Sequence, residues 1–345
     1  MDFSLLYFAN REATDPPREY DLLLQTARFA DEHDFTALWV PERHFHPFGG
    51  SYPNPALAAA ALAVATRRIR LRAGSVVLPL RDPVTVVEDW AFVDNLSRGR
   101  VDMALATGWN ADDFVLAPDR FAERRQFVID NVPVLRDLWA GTALVRRNGD
   151  GQEVEFRTYP RPVQPELKLW LTCTSSVETF RLAGAHGLNV LTALLVQRVD
   201  ELAVRIEAYR QARQAHGHDP RGGTVTLMLH TFVEASDQAA RAVIREPFLR
   251  YLRSSVNLWR GQWPELASID LDRLSVFAFE RYFGTAALFG SVQKCVDFVE
   301  RLADIGVTEI ASLTDFGVDD ATVLAALPYL DTVRREVQGR RPAAP

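Results

Sequence analysis

Cysteine is scarce in this chain: only Cys173 and Cys295 occur among 345 residues, far apart and in no ligand or redox spacing. That excludes a disulfide framework and a thiolate metal centre, and both side chains are expected as buried thiols of a reducing cytoplasm. Long apolar runs are also lacking. No stretch approaches the roughly 18–20 residues that span a bilayer. The start, MDFSLLYFANRE, has no basic region ahead of its apolar residues, which argues against a cleaved leader. Positive charge is not in excess either. A formal charge of −6 and a pI of 5.7 argue against a nucleic-acid partner gripped by a broad basic face. Neither a G-x-G-x-x-G fingerprint nor an internal repeat is present. What remains is 48% hydrophobic and 24% charged, an ordinary globular profile able to build a large core.

Short apolar runs alternate with helical patterns throughout. Strands are expected at Phe3–Phe8, Ala37–Val40, Ile69–Gly74, Val101–Ala106, Leu167–Thr172, Asn189–Thr192, Thr224–Val233 and Glu309–Leu313. Eight strands with helices between them is the number that closes a (β/α)8 TIM barrel. In Val199–Arg213, Leu202, Ile206 and Tyr209 recur at helical spacing. Asp82-Pro83 and Asp237 have the chemistry of helix starts. One domain is expected over residues 1–338, with a loose tail at 339–345. Two segments break its rhythm. Residues 141–162, carrying Asn148-Gly149-Asp150-Gly151, read as an inserted hairpin. Residues 251–290 show no clean period and hold Trp259, Trp263, Phe277, Phe279, Tyr282 and Phe283; they read as an irregular lid or interface.

Chemistry in such a barrel gathers at the C-terminal strand tips. Those tips carry Glu42-Arg43-His44, Gly74-Ser75, Thr107-Gly108-Trp109-Asn110, Thr174-Ser175-Ser176, Thr192 and Asp315. Thr174-Ser175-Ser176-Val177-Glu178-Thr179 follows a strand and opens a helix, so hydroxyls meet unpaired N–H groups where a phosphate would sit; an ordinary N-cap is the plainer reading. Gly74-Ser75 reads as a bulge that lets a flat ligand approach. Trp109 either stacks on a ligand or plugs the barrel. A His-x-His unit, His44-Phe45-His46, with His230 and Asp315, suggests a metal-dependent hydrolase. The fourth strand, however, ends in Ala106-Thr107 without a bridging ligand, and no metal is expected.

Three stretches resemble the bacterial luciferase-like family of flavin-dependent monooxygenases: TALWVPERHFHPFGG, the long block from NPALAAAALAV through LPLRDPVTVVEDW to DMALATGWN, and SSVETFRLAGAHGLNV. WVPERHFHPFGG, GWNADDF and LTDFG further resemble its natural-product biosynthesis subgroup. The resemblance implies a luciferase-like TIM barrel whose cofactor-binding set is Gly74, Ser75, Thr107, Gly108, Trp109, Ser175, Ser176 and Thr179. Gly74 and Ser75 match a non-proline cis peptide beneath the flavin, and Ser175, Ser176 and Thr179 match its phosphate contacts. His44 matches the second of two adjacent histidines in luciferase. Arg43 stands where the first, catalytic one is found, and Thr107 replaces a phosphate-holding arginine. Light emission is therefore not the expected output.

The implied activity is oxygenation by reduced FMN and O₂, with His44 handling protons, Glu42 orienting it and Arg43 holding an anionic group. Asn110 and Tyr282–Gly284 would shape the substrate side. Reduced flavin would come from a separate flavin reductase, and the substrate would be a small molecule, free or tethered to a carrier protein. A cytoplasmic homodimer is expected, with no nucleic-acid or membrane partner. The alternatives are an oxidoreductase using the deazaflavin F420 and a non-catalytic flavin-binding protein.

Overall fold

The computed structural model describes residues 1–8, 19–46, 49–260 and 271–340. Its strands are β1 Asp2–Leu6, β2 Ala37–Val40, β3 Arg70–Val77, β4 Val101–Ala106, β5 Leu144–Arg147, β6 Glu153–Phe156, β7 Leu169–Thr172, β8 Asn189–Ala193, β9 Val225–Glu234, β10 Leu288–Ser291 and β11 Glu309–Leu313. Parallel pairing follows β1-β2-β3-β4-β7-β8-β9-β11, and β11 returns to β1. The sheet is a closed barrel of eight strands without a free edge. Parallel neighbours need a connection that crosses back outside the sheet. That role falls to helices α1 Asp21–Glu32, α2 Pro55–Ala65, α3 Pro83–Ser97, α4 Arg124–Ala140, α5 Val177–Ala185, α6 Val199–Ala215, α7 Asp237–Arg260, α8 Leu271–Arg281, α9 Val292–Asp304 and α10 Asp320–Arg340. Local chemistry sets several starts. Asn54 and Asp82 accept the Ala56 and Val84 N–H groups at 2.9 and 2.8 Å, each just ahead of a proline in the first turn.

Each expected strand coincides with a barrel strand, and the expected hairpin is β5 paired antiparallel with β6. β3 runs on past Gly74 to Val77, with a register shift against β4 between Ala73 and Val76. The bulge lengthens the strand because the chain recovers its pairing after the extra residue.

Polar chemistry fills the lower barrel. Arg72 donates to Asp102 at 2.8 Å and to both Glu309 oxygens at 2.9 and 2.8 Å, while Arg70 donates to Asp102 at 2.6 Å. Burial lowers the Arg72 pKa, but Glu309 and Asp102 outweigh it and leave it above its ordinary value. Trp39 and Trp170 flank the guanidinium at 4.9 and 4.6 Å. Two cations meet two anions here, so the buried charges are compensated. With this plug below, ligand chemistry is confined to the upper rim.

Two expectations are corrected. Residues 251–290 are not irregular where described: α7 reaches Arg260, then come α8, a π-helical turn at Tyr282–Ala286 and β10. Ring packing ties these elements together. Phe248 meets Tyr251, Tyr282, Phe289 and Phe316 at 5.5, 5.1, 5.2 and 5.4 Å between centroids. Trp263 lies outside the described residues. At the other end, α10 continues through Gly339 to Arg340. Buried Val337 anchors this turn, and Gln338 bridges from Arg334 to the Met1 carbonyl. Residues 341–345 lie outside the described range.

Candidate active site

The tip of β2 releases Pro41, Glu42, Arg43 and His44 in succession, and the three polar side chains find different partners. The Glu42 carboxylate, fully enclosed, accepts the Val77 N–H at 2.8 Å, Arg81 Nε at 2.8 Å and His44 Nε2 at 3.0 Å. A carboxylate bound to two such donors acts as an acceptor, so His44 presents Nε2–H to it and keeps Nδ1 as the basic atom. Arg81 also donates to the Pro53 carbonyl at 3.0 Å, which ties the loops after β2 and β3 together. His44 is buried, and the neighbouring Phe45, at φ 54°, turns its ring outward.

Arg43 lies 4.8 Å over the Trp109 ring, with Nη1 3.8 Å from Asp113 Oδ2. Asp113 Oδ1 accepts Asn110 Nδ2 at 2.7 Å. Burial lowers the Arg43 pKa against the opposing effect of Asp113, and burial raises the Asp113 pKa against Arg43 and Asn110. At 3.8 Å the pair compensates its desolvation poorly. The Arg43 Nε and Nη2 atoms are buried with no hydrogen-bond partner among the described residues. Each buried donor left unmet costs about 1–3 kcal/mol.

Next along the rim, the Gly74–Ser75 peptide is cis. A Cβ on Gly74 would lie 3.1 Å from the Trp39 side chain, so glycine lets this backbone pack closely against the indole. The Ser75 hydroxyl meets the Thr172 hydroxyl at the tip of β7. Gly108, at φ 75°, brings the loop after β4 against Phe114 and Val77, and its carbonyl accepts Arg124 Nε at 3.0 Å. Thr107 is half-buried and Trp109 is 43% exposed, so the indole does not plug the barrel. Beyond β7, Ser176 is the N-cap of α5, yet its side chain makes no capping bond. Ser175 and Ser176 are exposed, Thr179 is half-buried, and Arg205 Nε holds the Ser175 carbonyl at 2.8 Å. Open N–H groups, unused hydroxyls and a nearby guanidinium fit a phosphate, although Glu178 in the same turn opposes it.

Opposite β3 stands an aromatic wall. The His230 ring on β9 is enclosed by Phe248, Tyr251, Tyr282 and Phe316 at 5.1, 4.9, 5.3 and 6.0 Å. Its Nε2 has no hydrogen-bond partner among the described residues, and burial lowers its pKa to about 3. Asp315 accepts the Phe8 N–H and clamps the tips of β1 and β11. Thr192 accepts Gln197 Nε2 at 3.1 Å. A cavity of about 270 Å³ is lined by Gln197, Arg198, Arg281, Thr285 and Arg301. The sequence reading missed Arg81 and Asp113. Both sit in loops directly after barrel strands, in the stretches LPLRDP and GWNADDF, and that position was the available signal.

Residues 1–309 match the luciferase-like monooxygenase family, and the chain belongs to it. The alkanal monooxygenase alpha chain of Photorhabdus laumondii is 24% identical over 321 residues, covering 84% of each chain. The 4-hydroxyprotoasukamycin monooxygenase of Streptomyces nodosus is 28% identical over 290 residues, covering 81% of this chain and 76% of that one. Two solved structures share the fold. The oxygenating constituent of 3,6-diketocamphane monooxygenase from Pseudomonas putida, in complex with FMN, has a TM-score of 0.79 at 18% identity and covers 96% of both chains. An F420-dependent secondary alcohol dehydrogenase has a TM-score of 0.72 at 15% identity, covering 97% of this chain and 98% of that one. The family is one of flavin-dependent oxidoreductases.

Proposed function

We propose that this protein is the oxygenase half of a two-component system, using reduced FMN and O₂ on a small-molecule or carrier-tethered intermediate of natural-product biosynthesis. Bound reduced FMN would supply the electrons that activate O₂ for transfer. The α5 N-terminus, with Ser175, Ser176 and Thr179, holds the phosphate. Gly74, Ser75, Thr107 and Gly108 form the seat, and Trp109 borders it. His44 Nδ1 takes or returns a proton, while Glu42 fixes the ring through Nε2. The aromatic wall around His230 and Tyr282 keeps water from the reacting atoms.

The observation that carries this reading is the Glu42–His44 hydrogen bond at the rim, 3.0 Å long and buried. The outer faces of α2 and α3 support a homodimer: Leu57, Val64, Phe92 and Leu96 are 69, 72, 57 and 40% exposed. A cytoplasmic enzyme fed by a separate flavin reductase completes the reading. With NADPH, free FMN and no reductase, the purified chain should leave NADPH unoxidised; steady consumption would remove the two-component assignment.

The same fold in an F420-dependent dehydrogenase keeps a second reading open, hydride transfer with a deazaflavin. Anaerobic titration with reduced FMN and reduced F420 separates the two by which one binds.

A further inference from the structure

We propose that Arg43 is the substrate's carboxylate receptor, so that the compound oxidised is a small carboxylic acid. This rests on the reading of the rim as an oxygenase site and narrows it. The argument begins with the shape of the guanidinium. Its Nε–H and one Nη2–H point along one edge in parallel, spaced to meet the two oxygens of a carboxylate. In Arg43 those two donors are the unpartnered ones. Nη1 instead faces Asp113 at 3.8 Å, and Trp109 covers one face of the guanidinium at 4.8 Å.

Its neighbours do not use that edge. Asp113 spends Oδ1 on Asn110, and the nearby carboxylate Glu42 is committed to Val77, Arg81 and His44. The cofactor phosphate is expected elsewhere, at the start of α5 beyond β7, and β3 and β4 stand between that strand and β2 in the barrel. A buried cation with an open two-pronged edge, one residue from the proposed proton carrier, is therefore left for the substrate. The indole of Trp109, the exposed member of this stack, would admit it. A thioester carbonyl offers one neutral acceptor and could neither span the edge nor balance the charge. The carboxyl group that Arg43 binds is thus free, whatever else the substrate carries.

The test uses benzoate and cyclohexanecarboxylate against benzamide and cyclohexanecarboxamide, with binding followed by ligand-observed NMR on the protein loaded anaerobically with reduced FMN. The acids should bind at least about tenfold more tightly than the amides. Arg43→Gln and Arg43→Ala should abolish that preference. Arg43→Lys should weaken the acids by about tenfold, because an ammonium is a point charge without the paired edge. Reduced FMN affinity, measured separately, should stay within about twofold of wild type in all three.

Equal binding of acids and amides by the wild-type protein overturns the proposal, and this comparison needs no variant to fold. Unchanged acid binding in Arg43→Gln, or loss of reduced FMN binding with the acids unaffected, overturns it as well. If the wild-type protein fails to bind reduced FMN, the oxygenase reading fails instead, and the acid–amide comparison on the unloaded protein still decides the role of Arg43.

Discussion

His44 Nε2 and Glu42 Oε1 lie 3.0 Å apart within a carboxylate site that also binds Arg81 and the Val77 backbone. Two residues apart in sequence, they are locked together by groups from the tip of β3 and the loop after it. The imidazole is thus oriented by the barrel and not by its own loop.

Removing the imidazole should therefore cost chemistry rather than folding. His44→Ala is expected to lower turnover by about 10²–10⁴-fold with reduced FMN affinity retained, as read by product formation under single-turnover conditions. Turnover at the wild-type rate would take His44 out of the reaction. Glu42→Ala breaks a part-buried ion pair with Arg81 and strands the buried Val77 N–H, so it should also lower stability, by about 1–3 kcal/mol in urea unfolding.

The start of α5 carries the phosphate assignment. Ser176→Asp sets a carboxylate among the donors meant for an anion, while an aspartate still serves as an N-cap. Reduced FMN should bind at least about tenfold more weakly, a loss of about 1.4 kcal/mol, with the melting temperature unchanged. Unaltered affinity in an anaerobic titration would move the phosphate elsewhere.

His230 predicts a pH dependence of stability. Its native pKa of about 3 lies below the ordinary 6.5. Between those values the unfolded chain binds a proton that the native state refuses. Stability should fall as pH drops below about 6.5, by up to about 1.4 kcal/mol per pH unit, and this contribution should level off near pH 3. Other groups titrate in the same window, so the comparison is with His230→Phe, whose denaturation midpoints should slope less steeply. Parallel slopes would mean that the imidazole accepts its proton in place.

Self-association rests on the apolar outer faces of α2 and α3. Changing Val64 and Phe92 to glutamate should shift the protein from dimer to monomer in analytical ultracentrifugation without altering its circular dichroism. A wild-type monomer at micromolar concentration would dispose of the dimer.

The barrel strands were readable because each is a short apolar run bounded by turn residues, and Asp82 marked a helix start by its capping chemistry. α7 does begin at Asp237, but Ser236 caps it by accepting the Ala239 N–H at 3.1 Å, while the Asp237 carboxylate accepts the Ser291 N–H. β10 escaped notice. It pairs only with the outer half of β9, and in sequence its four residues sit among aromatics that read as unperiodic. The contacts that hold α7 and α8 to the barrel are rings meeting across elements, and a local pattern does not record those partners.

At the rim, the order of residues along the chain dictates which side-chain types reach the strand tips: Glu42, Arg43, His44, the Gly74-Ser75 bulge, and the hydroxyls ahead of α5. That information is local, carried by strand length and by the turn that ends each strand. Tertiary structure alone decided the partners. Glu42 meets Val77 and Arg81, 35 and 39 residues away, Arg43 turns to Trp109 and Asp113, and Asp315 is spent on clamping β1. Adjacent side chains leaving a strand point in different directions, so their contacts depend on which distant loops the closed barrel brings alongside.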